Sequence, residues 1–124
     1  MSQPNQVAAS HILKKHAGSR RPASWRNPRI TQSKEEAISQ IEKIRADLLQ
    51  ILETGGYEAL KDAFADIARV ESDCGSAERG GDLGVFGRGQ MQKSFEDASF
   101  SLNVGELSDI VDSDSGIHII LRTM

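Results

Sequence analysis

Cys74 is the only cysteine of this 124-residue chain, and His11, His16 and His118 are its only histidines. A thiol near an imidazole can become a nucleophile for acyl transfer, so the set invites a hydrolase reading. No hydrolase signature accompanies Cys74, however, and neither residue type falls in a zinc-like spacing, so no metal is expected. Taken singly, the cysteine reads as an inert thiol and the histidines as hydrogen-bonded structural groups. A second set is apolar. Six of the eleven glycines lie between Cys74 and Phe95, at 75, 80, 81, 84, 87 and 89, with Leu83, Val85, Phe86, Met91 and Phe95 threaded among them. Such a run predicts tight turns around a short strand and a shaped apolar recess, although alone it would pass for plain core. A third set is cationic. Residues 1–33 carry Lys14, Lys15, Arg20, Arg21, Arg26 and Arg29 with no acid, a balance of +6, which leaves −9 for the other 91 residues. One basic patch on an acidic body suits a small anionic group rather than nucleic acid, which favours a domain basic overall. Without further context that stretch would be a solvated loop.

These residues need elements to hold them. Val7–Lys15 predicts a strand with His11 and Leu13 on one face. His16–Gln32, broken by Gly18, Pro22 and Pro28, is a loop. Ser33 and Glu36 form a capping-box pattern ahead of Ile38, Ile41, Ile44, Leu48 and Leu52 at helical spacing, and Gly55-Gly56 ends that helix. A second helix places Tyr57, Leu60, Phe64 and Ile67 on one face. After Cys74 comes the glycine-rich strand, then a helix over Gln92–Leu102. Strands over Leu107–Val111 and Ile117–Thr123, the latter with His118 and Ile120 on one face, flank a turn at Ser113–Gly116. Strands and helices segregated in this way imply the α+β class with an antiparallel sheet. The length fits one domain, residues 7–124, behind a short tail over 1–6.

GGDLG followed by FGRGQM and then Phe95 resembles the parvulin family of peptidyl-prolyl cis/trans isomerases. ASHILKKH matches that family's first strand and DSGIHIILRT its last, while SRRPASW resembles the basic loop of the phosphorylation-directed branch. The resemblance spans most of positions 7–123 and implies a four-stranded antiparallel sheet surrounded by four helices, with His11 and His118 side by side on central strands. It places the proline pocket on Leu83, Met91 and Phe95. His11, Cys74, Ser115 and His118 become the polar catalytic set, with Asp73 and Gln92 as neighbours. Lys15, Arg20 and Arg21 become the phosphate-binding cations, and Trp25 is expected to pack the loop on the body.

The implied activity is cofactor-free isomerisation of phosphoserine- or phosphothreonine-proline bonds. A phosphopeptide-binding module with little catalysis, and a general parvulin without phosphate preference, are the alternatives. No WW domain is expected ahead of residue 7. The segment from Lys34 to Cys74 is longer than usual for the family by roughly two helical turns, a surface extension. Ser94 stands where relatives often carry proline, and Ala17 and Ala23 where they often carry serine. No apolar run is long enough to span a membrane and no secretory leader is visible, so the expected protein is a monomer of the cytoplasm or nucleus, acting on phosphorylated Ser/Thr-Pro proteins with no nucleic-acid or membrane partner.

Overall fold

A computed structural model describes residues 5–124. Four strands form one sheet in the order β2-β1-β4-β3, with every neighbouring pair antiparallel. β1 spans Gln6–Lys14, β2 Asp82–Gly87, β3 Val111–Ser113 and β4 Gly116–Arg122. Residues 1–4 of the expected tail lie outside the described residues, and Gln6 already belongs to β1.

One sheet face packs on α1, Lys34–Glu71, and the other on α2, Lys93–Ser101. The period-two rule divides the strands between them. Ile12, Ile117, Ile119 and Leu121 point at Ala37, Ile41, Leu48, Leu60 and Phe64 of α1. Val7, Ala9 and Ile120 point the other way, at Phe86, Phe95 and Phe100. His11 and His118 therefore occupy the α2 face, on the two central strands.

α1 begins as its sequence dictates. The Ser33 hydroxyl accepts from the Glu36 N–H at 3.1 Å and the Glu36 carboxylate accepts from the Ser33 N–H at 3.1 Å, satisfying two of the free donors at the helix start. At Gly56 the backbone turns to φ 76°, ψ −171°, so the long element is two helices joined at a break, as the Gly55-Gly56 pair predicts. With α2 and a 3-10 turn over Gly75–Arg79, four helical segments surround the sheet.

Two expectations need correction. The chain after Cys74 forms that 3-10 turn first, and the glycine-rich strand starts only at Asp82. Leu107–Val111 is not a strand: Leu107 makes one isolated bridge to Leu121, and β3 begins at Val111. The cause is Ser108. Its N–H donates to the Ile120 carbonyl, but its hydroxyl, not its carbonyl, accepts from the Ile120 N–H at 2.9 Å. Its carbonyl is turned away to accept from Arg45 at 2.8 Å. A side chain has replaced a rung of the ladder, and regular pairing stops there.

Glycine is required where strands approach β1 closely. A Cβ on Gly81, at φ +85°, would collide with the His11 carbonyl oxygen. One on Gly116 would come 2.6 Å from the Lys14 carbonyl oxygen. Both positions let neighbouring chain close over the strand that carries His11. Among the described residues no helix is long and apolar enough to cross a membrane.

Candidate active site

The two histidines touch. Nδ1 of His11 lies 3.0 Å from Nδ1 of His118, and the rings stack with centroids 5.2 Å apart. A contact between two imidazole nitrogens needs one proton between them, so one ring donates and the other accepts. Nε2 of His118 is 2.6 Å from the Ser113 hydroxyl, whereas Nε2 of His11 is buried with no partner among the described residues. An orphaned acceptor is less costly than an orphaned N–H. We therefore assign the proton order His11 Nδ1–H to His118 Nδ1, and His118 Nε2–H to Ser113 Oγ.

Burial holds the His11 pKa down at about 4. Burial first, and His11 second, hold that of His118 at about 3. Both rings are neutral at pH 7, and the unfolded chain takes up protons near pH 6.5 that the folded one refuses. Stability is therefore full above pH 6.5 and falls as pH drops toward 4 and below. A His11→Gln/His118→Gln variant, with no imidazole to protonate at these positions, is expected to lose less melting temperature between pH 6.5 and 4 than the wild type. Equal losses in calorimetry would show that carboxylates elsewhere control the acid limb.

Phe95 stands edge-on to both imidazoles, with centroids 5.4 Å from His11 and 5.1 Å from His118, and is 4 % exposed. Leu83 and Met91 are half-buried and pack on the cluster that contains Phe95, so the three residues expected to form an apolar recess are together. The loop that delivers Met91 is pinned by Glu96, whose carboxylate accepts from the Gly89 N–H and from Arg88 at 3.1 Å. Gln92 clamps the hairpin that carries Ser115: its amide nitrogen donates to Ser115 Oγ at 2.8 Å and its amide oxygen accepts from the Asp114 N–H at 2.8 Å. Ser115 is thus held through Gln92 to the start of α2. Beside this clamp, a cleft of about 710 Å³ is lined by Gln92, Ser94, Ser113, Asp114, His16 and Lys34 among others, and does not include the apolar three.

Cys74 is half-buried, and its thiol makes no hydrogen bond to either histidine. With no imidazole nitrogen hydrogen-bonded to it, the thiol lacks the engaged base that activates a nucleophile. Cys74→Ser is accordingly expected to retain partial isomerase activity, and mass spectrometry should detect no covalent adduct with a peptide substrate. A trapped acyl-enzyme would revive the hydrolase reading.

Asp73, expected as a neighbour of the polar set, directly precedes Cys74 and gives its side chain to the basic loop. It is 5 % exposed, and its carboxylate is taken up by the basic loop: Oδ2 accepts from the Lys15 N–H at 2.9 Å, Oδ1 from the Ser24 hydroxyl at 2.9 Å and from Arg26 at 3.3 Å. Trp25 fixes the same loop as expected, its indole N–H donating to the carbonyls of Ser72 and Cys74 at 2.9 and 3.2 Å, although the ring is 58 % exposed. Lys15 is half-buried and its ammonium donates to the Ala23 carbonyl at 2.7 Å, leaving two of its three N–H groups. Arg20 and Arg21 are exposed, and neither guanidinium has a hydrogen-bond or ion-pair partner among the described residues.

Sequence reasoning missed Ser113, the partner of His118. Val111 faces His118 across the β3–β4 hairpin, so Ser113 is the diagonal neighbour on the same face. That relation could be read only with the register known, and the expected strand ended at Val111.

A domain signature described as Rotamase, PPIC-type PPIase domain, matches residues 11–124. The chain belongs to the parvulin family. This parvulin is 52 % identical over 127 residues to the peptidyl-prolyl cis-trans isomerase Pin1 of Arabidopsis thaliana, with 99 % of each chain covered. It is 54 % identical over 126 residues to the enzyme of the same name from Malus domestica, covering 98 % of this chain and 97 % of that one. Among solved structures, the peptidyl-prolyl isomerase ESS1 from Candida albicans superposes with a TM-score of 0.82 at 40 % identity, over 97 % of the parvulin and 63 % of that chain. The α+β fold with its four-stranded antiparallel sheet is the fold of the family.

Proposed function

We propose that this parvulin isomerises prolyl bonds that follow a phosphorylated serine or threonine. The isomerase activity follows from the family and from near-full-length relatives of that name. The phosphate preference is carried by one observation: two exposed arginines whose guanidinium groups have no partner among the described residues, in a loop that is otherwise tied down at many points.

An X-Pro bond is opposed by a barrier of roughly 18–20 kcal/mol, and no covalent bond needs to break. The catalyst has to hold the proline ring and favour the twisted amide over either planar form. Leu83, Met91 and Phe95 hold the ring, since a methionine adapts to irregular shape and an aromatic face packs on a pyrrolidine. His11, His118, Ser115 and Cys74 form the polar wall around the twisting amide. The histidines are neutral and locked to each other, so their part is to fix the shape of that wall and to present dipoles, not to carry charge. Arg20 and Arg21 take the phosphate in their planar donor forks, with the spare ammonium donors of Lys15 in support.

Arg20 is tied to the catalytic hairpin, because its N–H donates to the Asp114 carbonyl at 2.8 Å next to Ser115. On this reading the phosphate at Arg20 and the proline ring at Phe95 belong to consecutive residues of one peptide. NMR exchange spectroscopy on paired Ser-Pro and phosphoserine-Pro peptides tests the proposal. Exchange between cis and trans resonances, faster for the phosphorylated member, is the expected result. Binding without exchange would make this a phosphopeptide-binding module, and equal exchange rates a general isomerase.

A further inference from the structure

The basic loop has no regular secondary structure between Lys15 and Ser33, yet the proposed phosphate ligands sit in it. What gives such a loop a fixed shape decides whether two arginines can meet one phosphate together. Part of the answer is internal: Ile30 N–H donates to the Pro22 carbonyl at 2.9 Å, and Ser24 and Asn27 bond to each other's backbone at 2.8 and 3.3 Å. Besides the Arg20 N–H, which donates to the Asp114 carbonyl at 2.8 Å, and the amide pair of Gln32 with Gln40 at the loop's end, the anchors to the rest of the protein converge on three consecutive residues. Ser72 and Cys74 receive the Trp25 indole, and between them the buried Asp73 receives the Ser24 hydroxyl, Arg26 and the Lys15 N–H.

We propose that Asp73 is a selectivity-positioning residue, which holds the basic loop so that Arg20 and Arg21 converge on the substrate phosphate, and which does not act on the twisting amide. Its carboxylate cannot face the amide while both oxygens accept from the loop. It also separates the loop's cations by role. Arg26 is ion-paired with Asp73, whereas the guanidinium groups of Arg20 and Arg21 make no ion pair among the described residues and keep their donors for an incoming anion. The backbone N–H of Asp73 donates to the Leu13 carbonyl at 2.7 Å, and Leu13 pairs with His118. The brace is therefore seated on the strand pair that carries the imidazoles, and the phosphate grip and the ring pocket share one frame.

This inference rests on the phosphate reading above, and the experiment keeps the two apart. The measurement is the ratio of kcat/KM for a phosphoserine-Pro peptide to that for its unmodified twin. It is made on the wild type, Asp73→Asn, Ser24→Ala/Trp25→Phe and Arg20→Ala/Arg21→Ala. Losing hydrogen bonds to a buried carboxylate changes an equilibrium by about tenfold. Asp73→Asn is therefore expected to lower the ratio by about tenfold, mainly through a higher KM for the phosphopeptide. Ser24→Ala/Trp25→Phe removes the braces from the loop side and leaves the body intact. It should lower the ratio as well, with little change toward the unmodified peptide, and it decides the matter alone if Asp73→Asn does not fold. A ratio that collapses in the arginine variant but not in either brace variant overturns this role for Asp73 and leaves the phosphate reading standing. Parallel loss of activity on both peptides in the brace variants also overturns it. A wild-type ratio near one defeats the phosphate reading, and this inference with it.

Discussion

Phe95→Ala is expected to lower kcat/KM by at least about a hundredfold on every prolyl peptide, phosphorylated or not. Phe95 is the buried aromatic of the cluster on which Leu83 and Met91 pack, so on the proposed reading its removal takes away the surface that holds the proline. It also stands edge-on to His11 and His118, and without it both imidazoles face a void and lose the contact that orients them. Two losses then fall on one transition state, and about 1.4 kcal/mol suffices for each factor of ten. The same substitution opens a cavity in the cluster with Phe86 and Phe100, which costs about 3–5 kcal/mol of stability. For a domain with a total of about 5–15 kcal/mol, loss of fold has to be separated from loss of function. Circular dichroism and a denaturation curve do so. Met91→Ala provides a second route, because Met91 is half-buried and its removal costs less packing while emptying the same pocket. Folded variants with full activity would mean that the proline ring sits elsewhere.

How far this site was legible depends on how local its determinants are. The capping box at Ser33, the break at Gly56 and the shared face of His11 with Leu13 are set by residues within a few positions of one another, and the structure has them as read. β3 was misplaced because its start depends on Ser108 bonding Ile120 and Arg45, residues far along the chain. The glycine run predicts tight turns around a short strand but not their order: a 3-10 turn occupies Gly75–Arg79, closed by Gly80 at φ 68°, before the strand begins at Asp82. Asp73 shows the limit most clearly. Its partners Lys15, Ser24 and Arg26 are 47 to 58 residues away, so sequence could place it beside Cys74 but could not show where its carboxylate points. Only family resemblance singles out the proline and phosphate residues, since hydrophobic periodicity alone leaves Leu83, Met91 and Phe95 as core.

Arg20→Ala/Arg21→Ala is expected to abolish the preference for phosphorylated over unmodified peptide while activity on the unmodified peptide survives. The separation follows from position. Both side chains project from the loop into solvent, and neither contacts the Phe95 cluster or the histidine pair. A hydrogen bond to a charged group contributes about 1.5–3 kcal/mol, and exposure reduces that, so two arginines together account for a ratio on the order of ten to a hundred at low salt. Because the contact is between exposed charges, raising ionic strength to 1 M, where the screening length shrinks to about 3 Å, should erode the wild-type ratio and leave that of the double variant unchanged. The phosphate itself supplies a pH signature. Its second pKa lies near 6, so the wild-type ratio should fall as the dianion becomes a monoanion between about pH 7 and 5. In that interval His11 and His118 stay neutral in the folded protein, with pKa values held near 4 and 3, so a change in the ratio reports on phosphate and not on the imidazoles. Measuring the peptide pair at two salt concentrations and two pH values, for both proteins, gives a full test. A ratio that does not respond to the arginines, to salt or to pH would leave a general prolyl isomerase whose basic loop serves some other contact.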